Sequence, residues 1–324
     1  MTAPIGIAGA GAFGAALAIA LAKQGQTVRL WARDRAAADM MAKTRHVQRL
    51  PGATLPDTVS VTAELAHLSV CPAVLLAVPM QELSRFLATH GKMLDGRSLV
   101  ACCKGMDLTT QKGPTALIAD VCPSATAMIL TGPSFATDIA KGLATALTLA
   151  STKEVASQQM QAVLSGPILR IYRNSDVIGA ELGGALKNVI AIAAGIVMGA
   201  GLGESARAAL MTRGFAEMVR FSVSLGARPE TLMGLSGLGD LVLTCTSSQS
   251  RNYAHGLALG RGDRTDPSIT VEGVATSQAV LRRTMALGLL EDLPVTSMVA
   301  QVTAGSITVP MAIQALMSRP LKEE

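Results

Sequence analysis

Residues 5–14 read Ile5-Gly6-Ile7-Ala8-Gly9-Ala10-Gly11-Ala12-Phe13-Gly14, a short apolar run that closes on Gly-x-Gly-x-x-Gly and passes into Ala15-Ala16-Leu17-Ala18-Ile19-Ala20-Leu21. The order is strand, glycine turn, helix. Glycines at 9, 11 and 14 permit a tight turn and let backbone amides approach a pyrophosphate, which the positive end of the helix dipole attracts. A glycine triplet alone is weak evidence, because any turn can carry one. Between a strand and a helix near the start of the chain, it reads as a dinucleotide-binding crossover.

Working outward, the first 175 residues alternate short apolar runs with helical patterns, as parallel α/β units do. Strands are predicted at Ile5–Ala8 and Val28–Trp31, then at 73–78, 99–103, 127–130, 144–149 and 169–172, with helices such as 12–24 and 80–90 between them. From residue 177 onward the β-branched runs thin out and long helical patterns take over. The chain therefore reads as α/β, with an N-terminal Rossmann-type doubly wound sheet over residues 1–175 and a C-terminal all-α domain over 176–324.

Composition narrows the function classes. A chain of 324 residues that is 49% hydrophobic suits about two domains with sizeable cores. The charge-free stretch 189–203 holds 15 residues, short of the ~20 that a spanning helix needs, and reads as a buried core helix with no transmembrane segment expected. Met1-Thr2-Ala3-Pro4-Ile5-Gly6-Ile7 carries no basic segment before an apolar run, so a cytoplasmic location is expected. Five cysteines without a Cys-x-x-Cys, and four histidines without ligand spacing, predict free thiols and no metal. Aromatic residues make up 2% of the chain and no compact basic block occurs, which argues against nucleic acid, while a net charge of +5 suits an anionic ligand.

Beyond the glycine turn, the tip of the second strand reads Trp31-Ala32-Arg33-Asp34. A carboxylate at this tip selects the ribose 2′-hydroxyl of NAD, and an arginine accommodates the 2′-phosphate of NADP. Ala32 and Arg33 favour NADP, Asp34 keeps NAD open, and a solvated loop arginine is the plainer alternative. Cys102-Cys103-Lys104-Gly105 and Thr131-Gly132-Pro133-Ser134-Phe135-Ala136 each end an apolar strand, where ligands of open α/β sheets sit, so Lys104, Gly132 and Ser134 are candidate ligand contacts. The run Thr244-Cys245-Thr246-Ser247-Ser248-Gln249-Ser250-Arg251-Asn252 precedes a helical pattern at 253–259. Hydroxyls, a guanidinium and an amide before a helix suit a phosphate monoester, although the same residues also read as a Ser/Thr capping loop with a surface arginine.

Lys187 is the one charge between Glu181 and Glu204. Its plain reading is a lysine whose stem packs on the core while its head reaches water. Buried, it becomes a proton exchanger: an apolar surround lowers the pKa of a lysine, and a neighbouring carboxylate or phosphate raises it again.

In their order, Gly9-x-Gly11-x-x-Gly14, Lys104-Gly105, Gly132-Pro133-Ser134-Phe135-Ala136, Ala185-Leu186-Lys187-Asn188, Gly237-Leu238-Gly239-Asp240-Leu241, Ser250-Arg251-Asn252 and Val271-Glu272-Gly273 resemble the bacterial NAD(P)-dependent glycerol-3-phosphate dehydrogenases over nearly the whole chain. The resemblance implies reversible reduction of dihydroxyacetone phosphate to sn-glycerol 3-phosphate for glycerophospholipid synthesis, with NADP the preferred cofactor or NAD in its place. It implies that Lys187 is the catalytic proton donor and that Lys104, Gly132, Ser134, Asn188, Asp240, Ser250, Arg251 and Asn252 contact the substrate. Cofactor contacts would be Gly9, Gly11, Ala12, Phe13, Gly14, Arg33, Lys104, Ala136, Arg251, Thr270 and Glu272.

The chain departs from the family pattern at Asp138, where glutamate is common, at Leu143-Ala144-Thr145, which lacks a frequent proline, and at Leu50, which replaces an aromatic beside the expected cofactor cover. Two other readings stand beside the resemblance: a β-hydroxyacid-type Rossmann dehydrogenase, whose substrates are carboxylates, and a dinucleotide-binding sensor without catalysis. The glycine-rich helix of the second domain is a candidate for a homodimer contact.

Overall fold

Every residue of the first strand, β1 (Ile5–Ala8), is buried, as a strand covered by helices on both faces must be. It leads through α1 (Ala12–Lys23), β2 (Val28–Trp31), α2 (Arg35–Thr44), β3 (Val59–Thr62), a 3₁₀ turn at Leu65–Val70, β4 (Ala73–Leu76), α3 (Met80–Leu94) and β5 (Ser98–Ala101). Then come α4 (Pro114–Val121), β6 (Thr126–Thr131), α5 (Ala136–Lys141), β7 (Thr145–Ala150), α6 (Glu154–Leu164) and β8 (Leu169–Asn174). This computed structural model describes residues 3–267, 269–289 and 292–318. Met1 and Thr2, which open the stretch read for a leader, and residues 319–324, which close the second expected domain, lie outside the described residues.

The strands form one sheet in the order β3-β2-β1-β4-β5-β6-β7-β8. The order reverses between β1 and β4, and ligands of such sheets bind beyond the carboxyl ends of the strands at this switch point. Pairing is parallel from β3 to β6, but β7 runs antiparallel to β6, and β8 runs parallel to β7. The pair β7–β8, joined by α6, is thus a parallel unit of reversed direction, where the apolar runs had suggested continuation of the same sense. Strand β3 was not read from the sequence. Its Val59-Ser60-Val61-Thr62 lies at the sheet edge with one fully buried residue, so no apolar run marks it.

Side chains of alternate strand residues feed two cores, one on each face of the sheet. Ile5, Ile7, Leu30 and Leu75 pack with α1 on one face. Ala8, Trp31, Val74 and Leu76 pack with α3 on the other. Leu50, the departure expected to change the cofactor cover, is buried in the first of these cores.

The chain divides into two compact units, Met1–Lys104 with Lys112–Glu181, and Gly105–Gln111 with Leu182–Glu324. The second is built from α7 (Val177–Gly199, in this unit from Leu182 on), α8 (Gly203–Ser224), α9 (Pro229–Leu232), a π turn at Leu235–Gly239, α10 (Asp240–Cys245), α11 (Arg251–Arg261), α12 (Glu272–Leu287), α13 (Pro294–Thr303) and α14 (Val309–Met317). The stretch 189–203 is not one helix. It breaks after Gly199, where Gly201 and Gly203 adopt φ of 74° and 86°, a left-handed backbone that suits glycine. With its 23 residues, α7 is long and apolar enough to cross a membrane by length and composition, yet it is largely buried.

Helices α7 and α11 meet backbone to backbone. A Cβ on Gly256 would overlap the carbonyl of Ile192, and one on Gly260 that of Ile196. In return, Gly195 and Gly199 face the carbonyls of Tyr253 and Leu257 with no room for a side chain. These glycines of α7, read as a candidate subunit contact, are occupied within the chain. Gly256→Ala is expected to destabilise the second unit by about 3 kcal/mol or more, because a rigid carbonyl cannot yield to the added methyl; equilibrium urea unfolding would measure it.

A buried carboxylate ties α8 to the start of α13. Glu217 is 1% exposed and accepts from the Val295 amide at 2.6 Å, the Thr296 amide at 3.0 Å and the Thr296 hydroxyl at 2.9 Å. Two amides that a helix start leaves unpaired are thereby satisfied. Burial nevertheless pushes its carboxyl from 4.5 up to about 7, against the pull of those hydrogen bonds and of Arg220. In the first unit burial raises Glu181 to about 7 in the same way, against its bond from the Thr115 amide. With a raised folded-state pKa, the folded chain keeps a proton that the unfolded chain releases, so stability falls as pH climbs between 4.5 and about 7. Loss of the three contacts by Glu217→Ala is expected to cost about 3 kcal/mol near pH 5 and clearly less near pH 8, where the native protein already bears the cost of ionisation. Urea unfolding at the two pH values reads the difference.

Candidate functional site

In the first unit the glycine turn is built as its sequence requires. Gly9 holds φ of 122°, with the Ala77 carbonyl 2.5 Å from where a Cβ would stand. Gly14 packs against the Gly9 carbonyl, which locks α1 onto β1. Around Gly11 the space is open, with no heavy atom within 4 Å of a Cβ placed there. Gly11 caps α1 and offers no side-chain acceptor to its first amides. An open approach to a helix N-terminus without side-chain acceptors fits a pyrophosphate, so these residues suit the group that the motif implies. Ala12 and Phe13 begin α1, and Phe13 packs at the edge of the core, as does Ala136 at the start of α5.

At the tip of β2, Ala32 is buried and Arg33 is exposed. The Asp34 carboxylate accepts from the Ala37 amide at 2.7 Å and so serves as the N-cap of α2. Beyond β5 and β6, Lys104 Nζ donates to the Gly132 carbonyl at 3.0 Å and Ser134 Oγ donates to the same oxygen at 3.2 Å. Gly132 adopts φ of 128°, which turns this carbonyl toward both donors at little cost only for glycine. Three residues read from two separate motifs therefore share one oxygen. Asp138 lies in the first turn of α5, and the Leu143 amide bonds to its carbonyl.

In the second unit Lys187 does not snorkel. It is 7% exposed, and its Nζ donates to Asp240 Oδ1 at 2.8 Å and to Thr244 Oγ1 at 2.6 Å. Asp240 is 1% exposed. The geometry follows from two glycines. On α7, Gly183 lies one turn before Lys187 and on the same face, and a Cβ there would come within 2.5 Å of the Ser236 carbonyl. Gly237 sits against the Leu232 carbonyl. The backbone of the π turn is thus held close to α7, and the helix it feeds, α10, brings Asp240 to Lys187. Thr244, one turn further on α10, closes the triangle by donating to Asp240 Oδ1 at 3.3 Å. Sequence reading had Thr244 only among the hydroxyls of the run 244–252; its spacing of four from Asp240 was the signal for this place beside the ion pair. Cys245 beside it is buried, and burial pushes its thiol up to about 12, against the pull of Lys187.

Two further motif residues meet at Asn188. Asn252 Nδ2 donates to Asn188 Oδ1 at 2.9 Å, and the Gly273 amide donates to Asn252 Oδ1 at 2.9 Å. A Cβ on Gly273 would lie 2.6 Å from the Asn188 carbonyl, so α12 starts directly on α7. Ser250 is the N-cap of α11, its Oγ accepting from the Tyr253 amide at 3.2 Å. Arg251, the first residue of α11, is exposed, as is Thr270, while Glu272 opens α12 half-buried. Among the described residues no group of three or more His, Cys, Asp or Glu side chains is arranged to hold a metal ion.

Comparison with known proteins covers both units. The family model described as the NAD-dependent glycerol-3-phosphate dehydrogenase N-terminus matches residues 4–167, and its C-terminal counterpart matches residues 176–314. The glycerol-3-phosphate dehydrogenase (NAD(P)+) of Cereibacter sphaeroides is 57% identical over 323 residues, covering 99% of this chain and 100% of its own. That of a Ruegeria species is 54% identical, covering 99% of each chain. The crystal structure of glycerol-3-phosphate dehydrogenase from Coxiella burnetii superposes with a TM-score of 0.92 at 35% identity, over 98% of this chain and 99% of the other.

Removing one member of the buried pair strands the other. Lys187→Met or Asp240→Leu alone is expected to cost about 3 to 5 kcal/mol, and the double variant much less than the sum, because it buries no charge. A denaturation cycle of the four proteins tests the coupling.

Proposed function

The chain belongs to the NAD-dependent glycerol-3-phosphate dehydrogenase family, and from that premise we propose that it interconverts dihydroxyacetone phosphate and sn-glycerol 3-phosphate with an NAD(P) dinucleotide. We place this as a cytoplasmic step of glycerophospholipid synthesis, with residues 1–175 serving the dinucleotide and 176–324 the triose. The observation that carries the reading is the cluster of Lys187, Asp240 and Thr244: a buried cation held in one orientation by a carboxylate and a hydroxyl.

When bound, the reduced dinucleotide supplies the hydride for C2 of the ketone. Gly9, Gly11, Ala12, Phe13 and Gly14 hold its pyrophosphate, with Arg33, Ala136, Thr270 and Glu272 as its further contacts. As negative charge grows on the ketone oxygen, the Lys187 ammonium stabilises it and gives it a proton; in the reverse direction the neutral amine takes that proton back. Positioned acid catalysis of this kind contributes roughly a hundred- to ten-thousandfold in rate. Asp240 and Thr244 hold the ammonium in place, so little reorganisation accompanies the transfer.

Lys104, which also reaches the cofactor, Gly132 and Ser134 contact the triose. Arg251 and Asn252, with Asn188 orienting Asn252, bind its phosphate at the start of α11, where the helix dipole favours an anion. Ser250 serves there through its cap, and Arg251 also reaches the dinucleotide. Fixing a remote phosphate turns binding energy into alignment of the carbonyl, which is why a phosphate-free ketone should be a poor substrate. Neither a hydroxyacid dehydrogenase nor a sensor needs that arrangement.

Loss of reduced-nicotinamide absorbance tests the reading. Lys187→Ala is expected to lower kcat by roughly a hundredfold or more, and Arg251→Ala to raise the KM for dihydroxyacetone phosphate by about tenfold or more with a smaller effect on kcat. A Lys187→Ala enzyme with near-native kcat would remove the lysine from its role. Turnover of 2-keto acids in place of the triose phosphate would favour the hydroxyacid class, and dinucleotide binding without any turnover would favour the sensor. Light scattering of the same preparation reads the expected homodimer.

A further inference from the structure

The arginines at the tip of β2 are already paired. Arg33 Nη1 lies 3.4 Å from Glu82 Oε2, and the same carboxylate oxygen is held by Arg85, one turn along α3. Arg35 is paired in turn with Glu64, just before the 3₁₀ turn. Asp34, the acid that would select a ribose hydroxyl, is engaged by the first turn of α2. Two of the side chains that bear on the 2′ position, Arg33 and Asp34, thus each have a partner within the protein before any ligand arrives.

We propose that Glu82 sets how strongly this protein distinguishes NADP from NAD, by competing with the 2′-phosphate for Arg33. The inference rests on the assignment of Arg33 to the cofactor. A 2′-phosphate, anionic near neutral pH, must displace the carboxylate from Arg33 or share the guanidinium with it, and in either case it meets the negative charge of Glu82. A 2′-hydroxyl meets no such repulsion. Because Glu82 and Arg33 are well exposed, with side chains 42% and 76% accessible, water screens the pair and the discount is modest, about three- to tenfold in affinity. The pair therefore does not abolish NADP binding; it narrows the gap between the two cofactors. Neutralising Glu82 also releases Arg85, which adds a second guanidinium beside the first.

Titration of NADPH and NADH into the purified full chain at low salt, followed by calorimetry or nicotinamide fluorescence, tests this without catalysis. Glu82→Gln keeps the shape and removes the charge. It is expected to tighten NADPH about three- to tenfold while NADH changes less than about twofold, and added salt should shrink the difference. In an Arg33→Ala background the same substitution should give at most a small gain. Equal shifts for both cofactors, no shift, or weaker NADPH binding by Glu82→Gln would each overturn the inference, the last showing that Glu82 holds Arg33 in place for the phosphate. Arg33→Ala alone separates this from the underlying assignment. If it leaves NADPH affinity intact, the placement of the 2′-phosphate fails and the role of Glu82 with it. If it weakens NADPH alone while Glu82→Gln does not shift the ratio, only the role of Glu82 fails.

Discussion

The second unit depends on a contact that no side chain makes. Four glycines let α7 and α11 touch through their backbones, and at that separation the relative position of the two helices is set by carbonyl oxygens, which do not yield. Asn188 and Asn252 can meet because their helices are this close. The start of α12 then docks on both, its amide at Gly273 bonded to Asn252. A hydrogen-bonded line joining residues 188, 252 and 273 thus follows from small residues that carry no chemistry themselves.

The ion pair beside it has a different logic. Burying Lys187 and Asp240 together adds little to stability, since desolvation of two charges consumes most of what their attraction returns. What the pair provides is a single orientation for the ammonium, fixed by a carboxylate and a hydroxyl on one face of a short helix. The helix itself is aimed by Gly183 and Gly237, which bring the π turn against α7.

Much of this was legible in the sequence, and the gaps have physical causes. β1 and β2 were read to their terminal residues, β1 because Pro4 and Gly9 bound its apolar run. β3 escaped because an edge strand with a single fully buried residue carries no such run. The reversed direction of β7 and β8 was invisible, since periodicity records which face a residue occupies and not which way the strand runs. Lys187 announced itself as an isolated charge, but its partner lies 53 positions away, a distance that only the order of motifs could bridge. Ser250 illustrates the opposite limit: a hydroxyl before a helix has the same sequence signature whether it caps the helix, binds a ligand or does both, and only the cap is visible here. The left-handed glycines after Gly199 were visible as residues, yet their role in ending α7 was hidden by the absence of charge around them.

Cys245 gives the site a further property. A thiol reacts with peroxide through its thiolate, and this one, buried against the cation and pushed up to about 12, holds almost none. The described cysteines are all buried. Oxidative damage at this centre is therefore governed by how often the second unit opens, which is a matter of helix packing, and not by the redox chemistry of an exposed sulfur.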